Sequence, residues 1–176
     1  MQKIHFKAPN CWINDPNGFN WYQGQYHLFY QCFPYAPQWG RMHWGHAVSK
    51  DLVNWEEKGI ALYPTKTDDR SGCFSGSAVE QDGTMYLYYT GVNYLEEDPE
   101  NINHCRNDQF LSAQMMISSA DGMTFDNLQE KKTIIPTIAE DKIGSKTHTR
   151  DPKVWRGTDA WYMVLGSSVA HKGRLL

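Results

Sequence analysis

A polar turn followed by an aromatic-rich strand occurs three times in this chain, and this repeat constrains the fold more than any other feature. The three copies are Tyr22-Gln-Gly-Gln-Tyr-His-Leu-Phe-Tyr30, Gln81-Asp-Gly-Thr-Met-Tyr-Leu-Tyr-Tyr89 and Arg156-Gly-Thr-Asp-Ala-Trp-Tyr-Met-Val-Leu165. Each begins with a hairpin-type turn and continues with the short apolar alternation typical of a strand. No window sustains the apolar spacing of an amphipathic helix, although residues 134–142 could hold one helical turn. The sequence therefore predicts an all-β fold.

A second element recurs about 70 residues apart, a strand that ends in a Ser-x-Asp turn followed by an aromatic residue. Its copies are Ala47–Trp55 and Ile117–Phe125. Each repeat then has four short antiparallel strands, which is the content of one blade of a β-propeller. The predicted blades cover residues 15–62 and 74–135, with the start of a third at 150–176. Residues 1–176 are thus interpreted as the N-terminal part of a propeller domain, about two and a half blades.

The overall composition limits the class of ligand. With 40% hydrophobic and 21% charged residues the chain is not disordered as a whole. A net charge of −3 leaves no basic excess for phosphates, so neither nucleic acid nor a membrane surface is an expected partner. Met1–Asn10 lacks the apolar run of a signal peptide, which predicts a cytoplasmic location. Aromatic residues make up 14% of the chain and favour a ring-shaped ligand such as a carbohydrate.

Several residues suited to other chemistry are assigned structural roles. The four cysteines are widely spaced and form no CxxC pair, so they are predicted to be reduced thiols. His43 and His46 are three residues apart on a strand, where side chains face opposite sides, so we expect one inward, one outward and no metal site. Lys131 and Lys132 are interpreted as a solvated strand edge. No cofactor is expected.

Three polar clusters lie where the innermost strand of each blade begins, and such strand starts converge on the propeller axis. The clusters are Trp12–Gly18, Ser71–Ser77 and Thr149–Trp155. Two of them contain Asp-Pro, in which proline directs the preceding aspartate toward extended backbone geometry. Asp-Pro and Asn-Gly are also ordinary turn dipeptides, which is the structural alternative. Because Asp15 and Asp151 fall at matching positions of different repeats, we interpret them as functional.

The motifs Trp12-Ile-Asn-Asp-Pro-Asn-Gly18, Phe74-Ser-Gly-Ser77 and Arg150-Asp-Pro152, in this order, resemble the signature motifs of the β-fructofuranosidases of glycoside hydrolase family 32. Residues 42–47 and 49–55 extend the resemblance over most of the chain. The resemblance implies a five-bladed propeller with a C-terminal β-sandwich, the latter expected to lie outside these residues. It also implies hydrolysis of terminal β-D-fructofuranosyl bonds in sucrose, sucrose 6-phosphate or fructans, with retention of configuration.

The resemblance further implies a role for each matching residue. Asp15 corresponds to the nucleophile and Asp151 to the transition-state stabiliser. The implied substrate-binding residues are Asn14, Gln31, Trp39, Phe74, Ser75 and Arg150. Retaining glycosidases use an ionised carboxylate as nucleophile and a second carboxyl group as acid/base.

The sequence departs from the family pattern in one respect. The acid/base glutamate of the family belongs to a Glu-Cys motif, and no Glu-Cys pair occurs here. Glutamates 96, 97 and 100 lie in Leu95–Gln109, which is interpreted as a solvated insertion within the second blade. We therefore expect this polypeptide to be inactive alone. A missing C-terminal part as a separate chain, or self-association, is the expected protein partner.

Two other interpretations remain open. One is a related five-bladed furanosidase, such as an arabinosidase, that shares the carboxylate layout. The other is a non-catalytic sugar-binding protein or degenerate gene fragment.

Overall fold

Strands account for nearly all regular structure in the computed structural model, which describes residues 6–7, 11–139 and 143–176. The strands are β1 (Trp12–Tyr22), β2 (Gln25–Phe33), β3 (His43–Ser49), β4 (Trp55–Leu62), β5 (Gly72–Gln81), β6 (Thr84–Tyr94), β7 (Glu97–Asp98), β8 (Asn101–Cys105), β9 (Phe110–Ser119), β10 (Lys132–Ile135), β11 (Arg150–Arg156), β12 (Trp161–Val169) and β13 (Lys172–Leu175). Two short 3-10 turns cover Thr67–Asp69 and Arg106–Asp108. The all-β prediction is confirmed. The helical turn considered for 134–142 does not form at its start, which belongs to β10, and residues 140–142 lie outside the described residues.

The strands form successive antiparallel sheets. The first sheet has the order β1-β2-β3-β4, the second β5-β6-β9-β10 and the third β11-β12-β13. The short strands β7 and β8 form a separate hairpin between β6 and β9. Strand β5 contacts both β1 and β11, so the first strands of the three sheets lie side by side. This arrangement is that of consecutive propeller blades.

The repeated turn joins the first and second strands of each sheet. Gln23 and Gly24 have φ angles of 46° and 79°, and Asp82 and Gly83 have 50° and 77°. Two consecutive positive φ angles are the geometry of the type I′ turn, whose twist matches that of antiparallel strands. In the first two sheets the turn chemistry seen in the sequence therefore sets the register of the hairpin, whereas the third turn, residues 157–160, has no positive φ angle and closes with a hydrogen bond from the Gly157 N–H to the Ala160 carbonyl.

The main core lies between the first two sheets and is rich in aromatic residues. Phe29, Trp44, Leu87 and Tyr89 are completely buried there. The Trp44 indole N–H donates to the carbonyl of Phe74 at 3.0 Å, which satisfies its one polar group. A second cluster, containing Phe33, Met42, Phe74, Val92, Tyr94 and Phe110, lies next to it. The aromatic content of the sequence is thus used largely to pack one sheet against the next.

A buried ion pair lies beside this core. The ammonium group of Lys131 donates to Asp69 Oδ2 at 2.6 Å and to the carbonyl of Tyr63 at 2.5 Å. The hydroxyl of Tyr89 donates to the same carboxylate oxygen at 2.8 Å. Both charged side chains have no exposed area. The interpretation of Lys131 as part of a solvated edge is therefore wrong, whereas Lys132 is exposed.

The two histidines of the His-x-x-His pair are both buried, so the prediction of one inward and one outward side chain is wrong. His46 Nε2 shares a hydrogen bond of 3.0 Å with His27 Nδ1, and His43 Nδ1 lies 2.9 Å from the carbonyl of Arg41. Burial, with smaller contributions from His27 and Lys58, lowers the pKa of His46 to about 3. Both sides of β3 are covered, which explains why both imidazoles are buried.

All four cysteines are free thiols. Burial raises the pKa of the Cys32 thiol to about 12 and that of Cys73 further. Such thiols are poor nucleophiles, because reactivity requires the thiolate.

Over the described ranges, no helix has the length and apolar character needed to cross a bilayer.

Stacked aromatic pairs lie partly exposed on two sheets. Phe19 stacks on Tyr26 with ring centroids 6.0 Å apart, and Trp155 stacks on Tyr162 at 5.7 Å. Phe19 remains 55% exposed and Trp155 42%. Self-association through such surfaces stays a prediction.

Candidate active site

The first strand of each sheet contains a β-bulge at the same place, where two residues of that strand oppose one residue of the second strand. The bulged pairs and their opposing residues are Asn14-Asp15 with Gln31, Phe74-Ser75 with Thr90, and Asp151-Pro152 with Leu165. A bulge bends its strand and redirects side chains, and bulges are common beside active sites. Five of the eight site residues predicted from the sequence lie in these bulges, and Gln31 opposes one of them.

The carboxylate of Asp15 is held by a residue from the neighbouring sheet. Ser75 Oγ donates to Asp15 Oδ2 at 2.6 Å. The other oxygen, Oδ1, accepts no hydrogen bond from the described residues, and the side chain is exposed. One oxygen of Asp15 is therefore fixed while the other remains available to a ligand.

The adjacent amide is oriented by a chain of hydrogen bonds. Trp12 Nε1 donates to Asn14 Oδ1 at 3.0 Å, and Asn14 Nδ2 donates to Gln31 Oε1 at 2.6 Å. Gln31 is 4% exposed, so its amide is anchored in the protein interior. These contacts bring together three residues that the sequence analysis named separately.

Asp151 has a left-handed backbone conformation, with φ of 64°. The extended geometry predicted from the following proline is therefore wrong for this residue. Its backbone N–H donates to Thr90 Oγ1 at 2.9 Å, and Thr90 Oγ1 in turn donates to Gln114 Oε1 at 2.9 Å. A non-glycine residue with positive φ costs roughly 1–2 kcal/mol, and it persists where surrounding contacts hold it. Thr90 and Gln114 are both buried and supply those contacts.

Asp15 and Asp151 lie close enough for one charge to act on the other. Burial raises the pKa of Asp151, the Arg150 guanidinium opposes this effect, and the charge of Asp15 raises the pKa further. Arg150 Nε lies 4.0 Å from Asp151 Oδ2, and both side chains are about half exposed. The structure thus brings the two aspartates together around one polar, solvent-accessible site.

Aromatic rings form a continuous row along this site. Trp39, Phe74 and Phe110 follow one another with ring centroids 6.1 Å apart at both steps. His104 extends the row at Trp39, 5.1 Å away, and His148 at Phe110, 5.8 Å away. We call Trp39, Phe74 and Phe110 the aromatic row. Phe74 and Phe110 are buried in the second core cluster and Trp39 is partly exposed, so the row connects that cluster to the Phe74-Ser75 bulge.

Four residues near these positions were not predicted from the sequence: Thr90, Phe110, His104 and His148. The position of Thr90 could have been found by aligning the repeats, because it opposes the second bulge as Gln31 opposes the first. The two histidines carry no such signal, since they lie outside the repeated strand pattern.

The Leu95–Gln109 insertion is an ordered hairpin, and not merely the solvated loop that was predicted. Arg41, from the connection between β2 and β3, donates through Nη2 to Glu97 Oε1 at 2.5 Å and to the carbonyl of Ile102 at 2.8 Å. At its base, Arg106 pairs with Glu96 at 2.7 Å. The insertion therefore links the second sheet to the first beside Trp39.

Residues 5–176 match the sequence profile described as the glycosyl hydrolases family 32 N-terminal domain. The chain belongs to glycosyl hydrolase family 32. This confirms the resemblance drawn from the three motifs, and it supports the β-fructofuranosidase interpretation over the arabinosidase alternative.

Relatives and solved structures agree with this assignment. A sucrose-6-phosphate hydrolase from Zymomonas mobilis is 45% identical over 165 residues, which is 93% of this chain and 29% of the relative. A family 32 β-fructofuranosidase from Bombyx mori superposes with a TM-score of 0.80 and 37% identity, over 98% of this chain and 33% of that protein. A variant of the Bombyx enzyme has been solved with sucrose. Fructan 1-exohydrolase IIa from Cichorium intybus, in complex with 1-kestose, has a TM-score of 0.77 and 33% identity, over 99% of this chain and 31% of that protein.

The chain spans about a third or less of the length of these proteins. The likeness confirms the predicted fold class, an all-β five-bladed propeller to which this chain contributes about two and a half blades.

Proposed function

We propose that this chain holds the fructosyl unit of a fructose-containing saccharide against the three bulges and supplies two carboxylates of a retaining β-fructofuranosidase. The observation that carries the proposal is the placement of Asp15. Ser75 of the next sheet donates to one of its oxygens, and the other oxygen accepts no hydrogen bond from the residues that the structure describes. The charge of Asp15 contributes to the raised pKa of Asp151. Relatives named for sucrose 6-phosphate, and solved structures with sucrose and 1-kestose, support this substrate class.

In this mechanism the free carboxylate oxygen of Asp15 attacks the anomeric carbon of the fructosyl group. The bond from that carbon to the leaving oxygen breaks, and its electron pair stays on the oxygen, which a general acid protonates. Water then hydrolyses the fructosyl ester, so two inversions give net retention. Asp151, oriented by Thr90 through its backbone, accepts hydrogen bonds from fructose hydroxyls and stabilises the positive charge that develops on the ring.

The remaining predicted residues form the walls of the fructosyl subsite. Asn14 and Gln31 offer amide groups in fixed orientation, and Arg150 offers a guanidinium group beside Asp151. Trp39 and Phe74 offer apolar ring surface that excludes water from the reacting centre.

The general acid is not supplied by a Glu-Cys motif within these 176 residues. We therefore expect the 176-residue polypeptide to bind the fructosyl unit without cleaving sucrose, and cleavage to require an acid group from elsewhere. The proposed substrate class comprises sucrose, sucrose 6-phosphate and fructans, and a cytoplasmic location stays a prediction. A non-catalytic sugar-binding role is the second candidate, because it needs the same walls but no nucleophile.

The test uses β-D-fructofuranosyl fluoride, whose fluoride leaving group departs without protonation. Attack by Asp15 forms the ester bond as the carbon–fluorine bond breaks, so the first chemical step does not need the acid. We expect mass spectrometry of the intact chain to show the mass of one fructosyl group, and peptide mapping to place it on Asp15. Asp15→Asn should abolish this adduct, whereas Asp51→Asn, a turn substitution, should not.

Two results would count against the proposal. An adduct that persists in Asp15→Asn would assign the nucleophile elsewhere. Fructose binding without any adduct would favour the sugar-binding candidate. Circular dichroism and a thermal melt of each variant establish that the comparison is between folded proteins.

A further inference from the structure

His104, in the hairpin β7–β8, lies against one end of the aromatic row and belongs to none of the sequence motifs. His104 lies against Trp39 with ring centroids 5.1 Å apart and is solvent-exposed. Its ring nitrogens make no hydrogen bond with the described part of the chain. An aromatic neighbour on one side and free polar nitrogens on the other are suited to a sugar hydroxyl.

The position of His104 relative to the nucleophile follows from the order of contacts. Ser75, which hydrogen-bonds Asp15, directly follows Phe74 in the sequence. From Phe74 the row proceeds to Trp39 and then to His104, in steps of 6.1 and 5.1 Å. Under the proposed function, a fructosyl unit at Asp15 lies near Ser75 and Phe74, and a second sugar unit that follows the partly exposed Trp39 side of the row reaches His104.

The hairpin is held in place by contacts that lie away from the two aspartates. Arg41 binds Glu97 and the carbonyl of Ile102, and Cys105 packs against the buried cluster that contains Phe74. A polar group on such a fixed support loses little conformational freedom when it binds a ligand. This is the arrangement expected of a residue that selects substrates.

We propose that His104 is a specificity-determining residue that hydrogen-bonds the sugar unit attached to the fructosyl group, in a substrate of at least disaccharide size. The inference rests on the proposed function, because it assumes that the fructosyl unit is bound at Asp15. It assigns the hairpin β7–β8 as the part of this chain that distinguishes a disaccharide from free fructose.

The test compares the binding of fructose, sucrose and sucrose 6-phosphate by calorimetry or ligand-observed NMR. We expect His104→Ala to weaken sucrose binding roughly three- to tenfold, the range for one neutral hydrogen bond, and to leave fructose binding unchanged. His104→Gln, which retains a donor and an acceptor, should recover part of the loss. Arg41→Met, which releases the hairpin, should reproduce the selective loss. His171→Asn, in the turn between β12 and β13, is the matched control.

The outcomes separate the two proposals. Equal sucrose affinity in wild type and His104→Ala, with normal fructose binding, would overturn this inference alone. Loss of affinity for fructose and sucrose alike would also overturn it, since His104 would then support the fructosyl subsite itself. Failure of the wild-type chain to bind any of the three sugars would instead overturn the proposed function. A larger loss for sucrose 6-phosphate than for sucrose would extend the contact to the phosphate.

Discussion

Replacement of Lys131 by Met tests how much stability depends on the buried ion pair. The substitution keeps the side-chain length but leaves Asp69 without its cationic partner, with both sites fully enclosed. Asp69 also accepts backbone N–H bonds from Thr65 at 2.9 Å and Lys66 at 2.7 Å, so its carboxylate cannot move to solvent without breaking the turn. Removing one partner of a buried pair typically costs about 3–5 kcal/mol. Because whole domains are stable by only about 5–15 kcal/mol, this loss would be large.

The measurement is the free energy of unfolding from urea denaturation, followed by circular dichroism. The double variant Asp69→Asn/Lys131→Met removes the orphaned charge and should recover part of the loss, which separates the charge effect from lost packing. Lys132→Met, one residue away and exposed, is the control and should change stability by less than about 0.5 kcal/mol. A loss below about 1 kcal/mol for Lys131→Met would refute the argument that this pair holds the turn against the core.

Three further predictions concern pH and the bulges. Unfolded chains bind a proton at His46 near its ordinary pKa of 6.5, whereas the folded imidazole binds one only near pH 3, so stability should fall as pH falls through this window. Between pH 6.5 and 5 the contribution of His46 to this loss should be about 1.6 kcal/mol, measured by urea denaturation. His46→Gln should reduce the pH dependence, and the lowered pKa values of His27 and His43 should account for what remains. Thr90→Val keeps the side-chain shape but removes the acceptor for the Asp151 N–H. It should lower the free energy of unfolding by about 1–3 kcal/mol and weaken fructose binding. An unchanged affinity for fructose would contradict the positioning role of Thr90. Gly76→Ala should destabilise the chain by about 1–3 kcal/mol or more in a thermal melt, because the new Cβ would lie 1.9 Å from the carbonyl oxygen of Tyr88. Unchanged stability would show that β5 and β6 can separate at this position.

The strand pattern and the hairpin turns were predictable because they depend on local chemistry. Asp82-Gly83 favours consecutive positive φ angles, and alternating aromatic residues favour a strand with two packed faces. The family motifs likewise located Asp15 and Asp151, although the roles of these residues stay predictions. The local signals therefore sufficed for the fold class and for the place of the site.

The remaining features depend on contacts between distant segments. The left-handed conformation of Asp151 requires Thr90 from another sheet, and local preference before proline points the other way. Lys131 looks like a surface residue in sequence, and only the approach of Asp69, 62 positions earlier, gives it a buried partner. His104 depends on a hairpin whose position is set by Arg41. None of these has a signal within its own segment.

The second sheet touches both aspartates while contributing neither. Its Ser75 donates a hydrogen bond to the carboxylate of Asp15, and its Thr90 accepts one from the backbone N–H of Asp151. The second sheet therefore helps to set the distance between the two aspartates. A slight tilt of that sheet would alter the distance between the two aspartates without changing either residue, so the activity proposed for this site should be sensitive to packing far from it.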